Sequence, residues 1–77
     1  MAFVSIGSNR VRVTKDGSLY EFVRSYESNG STIYCISKKD DGSTEVSTLE
    51  RSELPKNEYE AICMLNNLRV IGEFYGH

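Results

Sequence analysis

Residues 19–49, LYEFVRSYESNGSTIYCISKKDDGSTEVSTL, decide the fold. Three apolar runs in this segment are separated by Asn29-Gly30 and by Asp41-Gly42. Asn-Gly and Asp-Gly accept the positive φ angles of tight hairpin turns, and they are the strongest short-range hairpin signals in a sequence. The segment therefore predicts three consecutive antiparallel strands.

The preceding residues extend this meander toward the N-terminus. Residues 3–6 form a short apolar run, and residues 10–14 alternate strictly, with Val11 and Val13 on one face. Strict alternation predicts a strand that has one face in water. Residues 32–37, by contrast, are apolar on both faces, which predicts a central strand covered on both sides.

The periodicity changes after the fifth strand. Asn57 stands three residues before Glu60, a spacing typical of a reciprocal helix cap. We expect a helix over about residues 57–67, and this helix can cover the second face of the central strand. Residues 68–75 return to strand character.

The predicted order is β-β-β-β-β-α-β in a single domain over residues 1–77. The fold class is mainly β (α+β): an antiparallel, five- to six-stranded bent meander or a small barrel, with one C-terminal helix followed by a last strand. Val46 and Leu49 have opposite parity in the fifth strand, which predicts a bulge or bend between them. Gly72 is expected to mark a bend or bulge in the last strand.

Several short sequence motifs follow one another over residues 16–54. They are Asp16-Gly17 before Leu19-Tyr20-Glu21-Phe22-Val23, then Asn29-Gly30, Tyr34-Cys35-Ile36, Asp41-Gly42 with Glu45-Val46, and Ser52-Glu53-Leu54. Together they resemble a Tudor-type member of the SH3-like small barrels over about half of the chain. The resemblance implies a barrel that binds partner proteins, with Tyr20 and Tyr34 at positions where that family often has aromatics of a cage for methylated Lys or Arg. Ser37 and Lys38 stand where the family usually has a second aromatic.

Charge is unevenly distributed along the chain, whose net charge is −2. Residues 1–39 carry six basic and three acidic side chains, whereas residues 40–60 carry two basic and seven acidic ones. The simpler interpretation is that these charges are spread over a solvated surface once the chain folds. The alternative is a domain with two electrostatic faces.

The cysteines and the lengths of the apolar runs indicate in which cellular compartment the chain is expected. Cys35 and Cys63 lie among apolar neighbours, and we expect two reduced, buried thiols, with a disulfide between them as the alternative. No apolar run approaches the roughly 20 residues of a membrane helix. The N-terminus lacks the basic region of a secretory signal. The expected location is intracellular and cytoplasmic, away from membranes.

Residue types that form catalytic and metal sites are scarce. The single histidine is His77, at the chain end. The sequence has no Cys-x-x-Cys, no histidine pair and no glycine-rich phosphate loop. Asp40-Asp41 is not followed by the remaining ligands of a calcium loop. We therefore expect no enzymatic activity, no cofactor and no metal.

The expected function is a non-enzymatic protein-interaction module. Such a chain acts as a small inhibitor or adaptor that binds and blocks a larger protein, and its size suggests an origin in a phage or another mobile element. Tyr20, Tyr26 and Tyr34, near the ends of the central hairpin, are the predicted binding rim, with core or rim packing as the alternative for each. An exposed first or last strand predicts self-association into a homodimer.

The alternative function is nucleic-acid binding by a small barrel. Arg10, Arg12 and Arg24 are predicted to lie on one sheet face, with Tyr20 and Tyr26 nearby. Arginine contacts phosphates, and tyrosine stacks on bases. The net charge of −2 argues against this function, since domains dedicated to nucleic acid are usually basic.

Overall fold

The computed structural model describes residues 2–24 and 32–75, without the side chain of Tyr75. Within these residues, six strands and one helix follow one another: β1 (Phe3–Ile6), β2 (Arg10–Lys15), β3 (Ser18–Arg24), β4 (Ile33–Lys38), β5 (Ser43–Leu49), α1 (Glu58–Leu65) and β6 (Arg69–Tyr75). The strands form one open antiparallel sheet in the order β1-β2-β3-β4-β5-β6. The predicted mainly-β meander, with a C-terminal helix and a last strand, is confirmed.

Tight turns join two of the hairpins, and the one between β4 and β5 contains the predicted Asp41-Gly42. Between β2 and β3, Asp16 and Gly17 both have positive φ angles, of 51° and 81°. Two consecutive positive φ angles match the twist of the flanking strands. Between β4 and β5, Gly42 has a φ of 86° and its backbone N–H donates to the carbonyl of Lys39 (3.0 Å). The turn predicted at Asn29-Gly30 lies outside the described residues.

Helix α1 begins at the predicted cap. The backbone N–H of Glu60 donates to Oδ1 of Asn57 (2.9 Å), which satisfies one of the N–H groups left free at a helix start. The carboxylate of Glu60 accepts from the backbone N–H of Lys56 (3.2 Å) and from Nη2 of Arg51 (3.1 Å), so the reciprocal half of the cap falls one residue earlier than predicted. The helix ends at Leu65, with Asn66 as its C-cap.

The hydrophobic core lies between one face of the sheet and the segment that contains the helix. Strands β2, β3 and β4 contribute one set of buried side chains, which are Val11, Val13, Phe22, Ile33 and Cys35. Leu54, Ala61 and Met64 pack over them from the other side. Each fully buried aliphatic or aromatic side chain contributes about 1.5–3 kcal/mol relative to an exposed one, so this layer stabilises the domain.

The prediction that β4 is covered on both faces is wrong. Ile33, Cys35 and Ser37 are buried on one face of the strand, but Tyr34 and Ile36 are only half-buried and lie on the opposite face. Side chains alternate between the two faces of a strand, and an eight-residue helix covers one face only. None of the described elements lies over Tyr34 and Ile36.

A bulge interrupts the pairing of β5 with β6. Val46 pairs with Gly72 and Ser47 pairs with Val70, so Ile71 is the extra residue. The irregularity predicted after Val46 and the one predicted near Gly72 are therefore the same feature. Because of the extra residue, the alternation of β6 side chains between the two faces shifts by one position at the bulge.

The two cysteines are both free, and they differ in burial. Cys35 is fully buried, and burial raises the pKa of its thiol to about 11. Cys63 is half-buried rather than buried as predicted, because it lies beside a shallow hollow between the helix and β5. Among the described residues, no helix is long and apolar enough to cross a membrane.

Candidate binding face of the sheet

The face of the sheet opposite the helix is the candidate functional site, and we call it the open face. Strand register places its side chains in three rows across the sheet, two of which start in β1 and the third in β2. The first row holds Phe3, Thr14, Leu19, Lys38, Thr44 and Phe74; the second holds Ser5, Arg12, Glu21, Ile36, Val46 and Gly72; the third holds Arg10, Val23, Tyr34, Thr48 and Arg69.

The centre of the open face is apolar. It consists of five half-buried side chains, which are Leu19, Val23, Tyr34, Ile36 and Val46. Leu19 and Ile36 also line a hollow of about 230 Å³. Half-buried aliphatic side chains on a sheet surface remain partly in water, and covering them with another protein is favourable by roughly 25 cal/mol per Å². This centre is therefore suited to a partner that removes it from water.

A cluster of three charged side chains borders the apolar centre. Nε of Arg12 donates to Oε2 of Glu21 (2.8 Å), and Nη1 of Arg10 lies 3.5 Å from the same oxygen. The hydrogen bond from Arg12, assisted by the nearby charges of Arg10 and Lys38, lowers the pKa of the Glu21 carboxyl against the opposing effect of burial. The side chains of Arg10 and Arg12 are about half exposed.

The open face is basic although the whole chain is acidic. Four of its strand residues are basic and one is acidic, which gives a local charge of +3 against −2 for the chain. The basic residues are Arg10, Arg12, Lys38 and Arg69, and Glu21 is the acidic one. The open face is therefore one basic surface on an acidic chain.

The predicted binding residues divide between the two faces. Tyr34, Arg10 and Arg12 lie on the open face. Tyr20 faces the other way and packs against the core. Arg24 pairs with Ile33, so it also points away from the open face.

This division corrects the prediction that Arg10, Arg12 and Arg24 share one face. Residue 24 follows a position that pairs with Arg10, and neighbouring residues of a strand lie on opposite faces. Tyr20 and Tyr34 are separated in the same way, so these two side chains do not line one cage. Tyr26 lies outside the described residues.

Sequence reasoning missed the aliphatic part of the site. Leu19, Val23 and Val46 were given no functional role, and Ile36 was predicted to be covered, because apolar side chains in strands usually are. Their common parity with Tyr34 was visible only once the register between strands was known. The strict alternation of β2, which puts arginines opposite buried valines, was the one available signal for which face is open.

Within residues 2–24 and 32–75, no three side chains of His, Cys, Asp or Glu are grouped to hold a metal ion. Compared with known proteins, the chain matches no family model, no curated protein and no solved structure.

Proposed function

We propose that this chain is a non-enzymatic protein-interaction module whose open face is the docking surface. One observation carries the proposal: the half-buried centre around Ile36 and Val46 lies on a face that none of the described elements covers. Exposed apolar surface rimmed by polar residues is typical of a protein interaction site. Charged groups next to the apolar side chains, such as Arg12 and Glu21, fix the orientation of a partner and steer its encounter more than they add affinity.

A module of this kind acts by covering part of the surface of its partner. It works as an inhibitor where the covered surface is the partner's functional site, and as an adaptor where that surface is a second docking site. The cytoplasmic location and the origin in a mobile element remain predictions from the sequence.

Affinity capture with paired variants tests the proposal. The tagged chain is incubated with extract of its source cells, alongside Ile36→Thr on the open face and Tyr59→Thr on the helix. Tyr59 is 78% exposed and lies away from the open face, so it is a matched control. Threonine retains β propensity at position 36 while removing apolar contact area.

We expect one stoichiometric partner that the wild-type chain and Tyr59→Thr both retain. Ile36→Thr should weaken its binding by roughly tenfold, the loss typical of a central interface residue. Circular dichroism of each variant confirms that the sheet persists. Retention of the partner by Ile36→Thr together with its loss in Tyr59→Thr would contradict the proposal, as would the absence of any stoichiometric partner.

Nucleic-acid binding is a second candidate, favoured by the local charge of the open face. Arg10, Arg12 and Tyr34 lie there together, and arginine and tyrosine are the residue types that contact phosphates and bases. Glu21 neutralises part of this positive charge, because it pairs with both arginines. Binding of a labelled single-stranded oligonucleotide, measured at low and moderate salt, tests this function, because phosphate contacts are strongest at low salt. Absence of binding at low salt would eliminate it.

Homodimer formation through an edge strand extends the main proposal. β1 exposes Phe3 and Ile6, and β6 exposes Val70, Ile71 and Phe74. Edge strands present unpaired backbone groups to a second chain. The edge of β6 is the better candidate, since it is longer and carries more exposed apolar side chains.

A further inference from the structure

We propose that the occupant of the open face is an acidic protein segment whose aliphatic side chains cover Ile36 and Val46 while its carboxylates pair with the surrounding basic residues. The inference rests on the proposed function, because it names the chemistry of the partner for the same surface. The occupant is an extended or helical segment of another protein that carries Asp or Glu beside Leu, Ile or Val.

The arrangement of charges around the apolar centre is the first argument. Lys38 is the cross-strand neighbour of Leu19, Arg12 is separated from Ile36 only by Glu21, and Arg69 lies beside Thr48. Cations therefore stand on several sides of the aliphatic patch. A segment that covers the patch brings its own flanking side chains close to these cations, and opposite charge is favoured there.

Unused hydrogen-bond donors are the second argument. Within the described residues, neither Lys38 nor Arg69 forms a salt bridge, although both are exposed. Arg10 and Arg12 share the single carboxylate of Glu21, and each guanidinium has five N–H groups. Donors consequently remain for carboxylates of a partner, and Glu21 holds the two guanidinium groups beside the apolar centre.

A second copy of the chain is a poor occupant of this face. Apposing two open faces would bring a local charge of +3 against another of +3, and like charges in contact oppose association. Charge complementarity therefore favours a different, acidic chain. Self-association at an edge strand is a separate matter, because it uses backbone groups rather than this face.

Nucleic acid also fits the face less well than an acidic protein. Single-stranded nucleic acid binds by stacking bases on aromatic side chains. Four of the five central side chains, Leu19, Val23, Ile36 and Val46, are aliphatic, and Tyr34 is the one aromatic among them. Aliphatic side chains pack well against other aliphatic side chains, which a protein supplies and a phosphate backbone does not.

Titration with defined peptides tests the chemistry directly. The isotope-labelled full chain is titrated with a peptide of about ten residues that alternates Glu with Val or Leu, since that length spans one strand of a sheet. Three further probes are the same peptide with Lys for Glu, the same peptide with Ser for the aliphatic residues, and an oligothymidylate. Amide chemical shifts are recorded at low and moderate salt.

We expect the acidic aliphatic peptide to shift amides of β3, β4 and β5, and to bind several-fold more weakly at moderate salt because exposed ion pairs are screened. The combined variant Arg12→Gln/Lys38→Gln should weaken binding roughly three- to tenfold, as expected for the loss of two exposed charge pairs. Lys56→Gln, which removes a cation near the helix, should leave binding unchanged; Lys56 is paired with Glu53.

Three outcomes would overturn the inference: equal binding of the Lys and Glu peptides, binding of the oligothymidylate in preference to the acidic peptide, or no binding of the acidic peptide at all. The same variants in the affinity capture separate this inference from the proposed function. A captured partner that is lost with Ile36→Thr but unaffected by Arg12→Gln/Lys38→Gln would leave the docking face established and refute an acidic occupant.

Discussion

Glu21 organises the charged side of the open face, and its titration should be visible in stability. Its folded-state pKa is lowered chiefly by the hydrogen bond from Arg12, so the group stabilises the fold at pH values above its ordinary 4.5. That contribution is lost as the pH falls below 4.5 through the lowered folded pKa. Glu21→Gln should reduce the free energy of unfolding at neutral pH by less than about 1 kcal/mol, because the arginines are half exposed.

Chemical denaturation of Glu21→Gln and the wild-type chain across the acid range checks this. The difference in free energy of unfolding between the two chains should shrink as the pH falls, because protonation removes from the wild type the carboxylate charge that the variant already lacks. Glu58→Gln is a suitable control, because Glu58 is exposed in the first turn of α1 and lies away from the open face. A difference between Glu21→Gln and wild type that grows toward low pH would contradict the assigned role.

The two thiols should react at very different rates. Cys35 is fully buried with a pKa of about 11, so near pH 8 roughly one thiol in a thousand is ionised and none is accessible. Cys63 borders a hollow of about 180 Å³ and is half-buried. A thiol-specific chromogenic reagent should therefore modify one cysteine in the native chain and two in denaturant.

The variant Cys63→Ser identifies which cysteine reacts. Native Cys63→Ser should show no rapid modification, whereas native Cys35→Ser should react as the wild type does. Rapid modification of Cys63→Ser in the native state would show that Cys35 is accessible, and it would contradict the packing of the core. On the basis of their apolar sequence neighbours, both cysteines were predicted to be buried. The difference between them depends on packing in the folded chain, which those neighbours do not reveal.

Turns are the elements whose residue types are most tightly specified. Gly17 and Gly42 both have φ angles that alanine adopts only with strain. A Cβ at Gly42 would meet no atom within 4 Å, whereas one at Gly17 would crowd the carboxylate of Asp40. Because that carboxylate ends a flexible side chain, it can move aside at little cost.

Gly17→Ala and Gly42→Ala should therefore destabilise the chain by similar amounts, about 1–2 kcal/mol each, set by the backbone angle. Equilibrium denaturation of both variants measures the two losses. Asp40→Ala combined with Gly17→Ala is the control for crowding, since it removes the carboxylate in question. A loss for Gly17→Ala that greatly exceeds the loss for Gly42→Ala, and that disappears in the double variant, would show that crowding dominates.

Local signals explain which elements the sequence could predict. The helix start at Asn57 and the turn at Gly42 depend on residues close in sequence, so both were predicted correctly. The coverage of β4 depends on how long the helix is and which face it meets, which are properties of tertiary packing. Ile36 was consequently predicted to be covered, whereas it is half-buried on the open face.

At the scale of the molecule, the meander was predictable and the site was not. Consecutive strands pair with one another throughout, so the order of the turns alone gives the topology. The site requires one further fact, the register between strands, which sorts Arg12 and Arg24 onto opposite faces. A shift by one residue in any strand would exchange its two faces, and no single-strand pattern excludes this for β3, which is mixed on both sides.

The free edge of β6 gives a prediction for the whole molecule. Val70, Ile71 and Phe74 are at least half exposed, and the strand contains no proline or lysine to discourage pairing. We expect concentration-dependent self-association of the wild-type chain in sedimentation equilibrium. Ile71→Lys should reduce it, because a charge on the edge opposes pairing while the position, as the extra residue of the bulge, has no partner residue in β5.

Phe3→Lys on β1 is the matched variant for the opposite edge, where Phe3 is 72% exposed. If β6 is the interface, association survives Phe3→Lys and is lost in Ile71→Lys; the reverse pattern would assign the interface to β1. Association through the edge uses backbone hydrogen bonds, so it should depend weakly on salt, in contrast to acidic ligands of the open face. A chain that stays monomeric at every concentration would refute edge pairing, and the bulge after Val46 would then be the feature that keeps β6 from accepting a second copy.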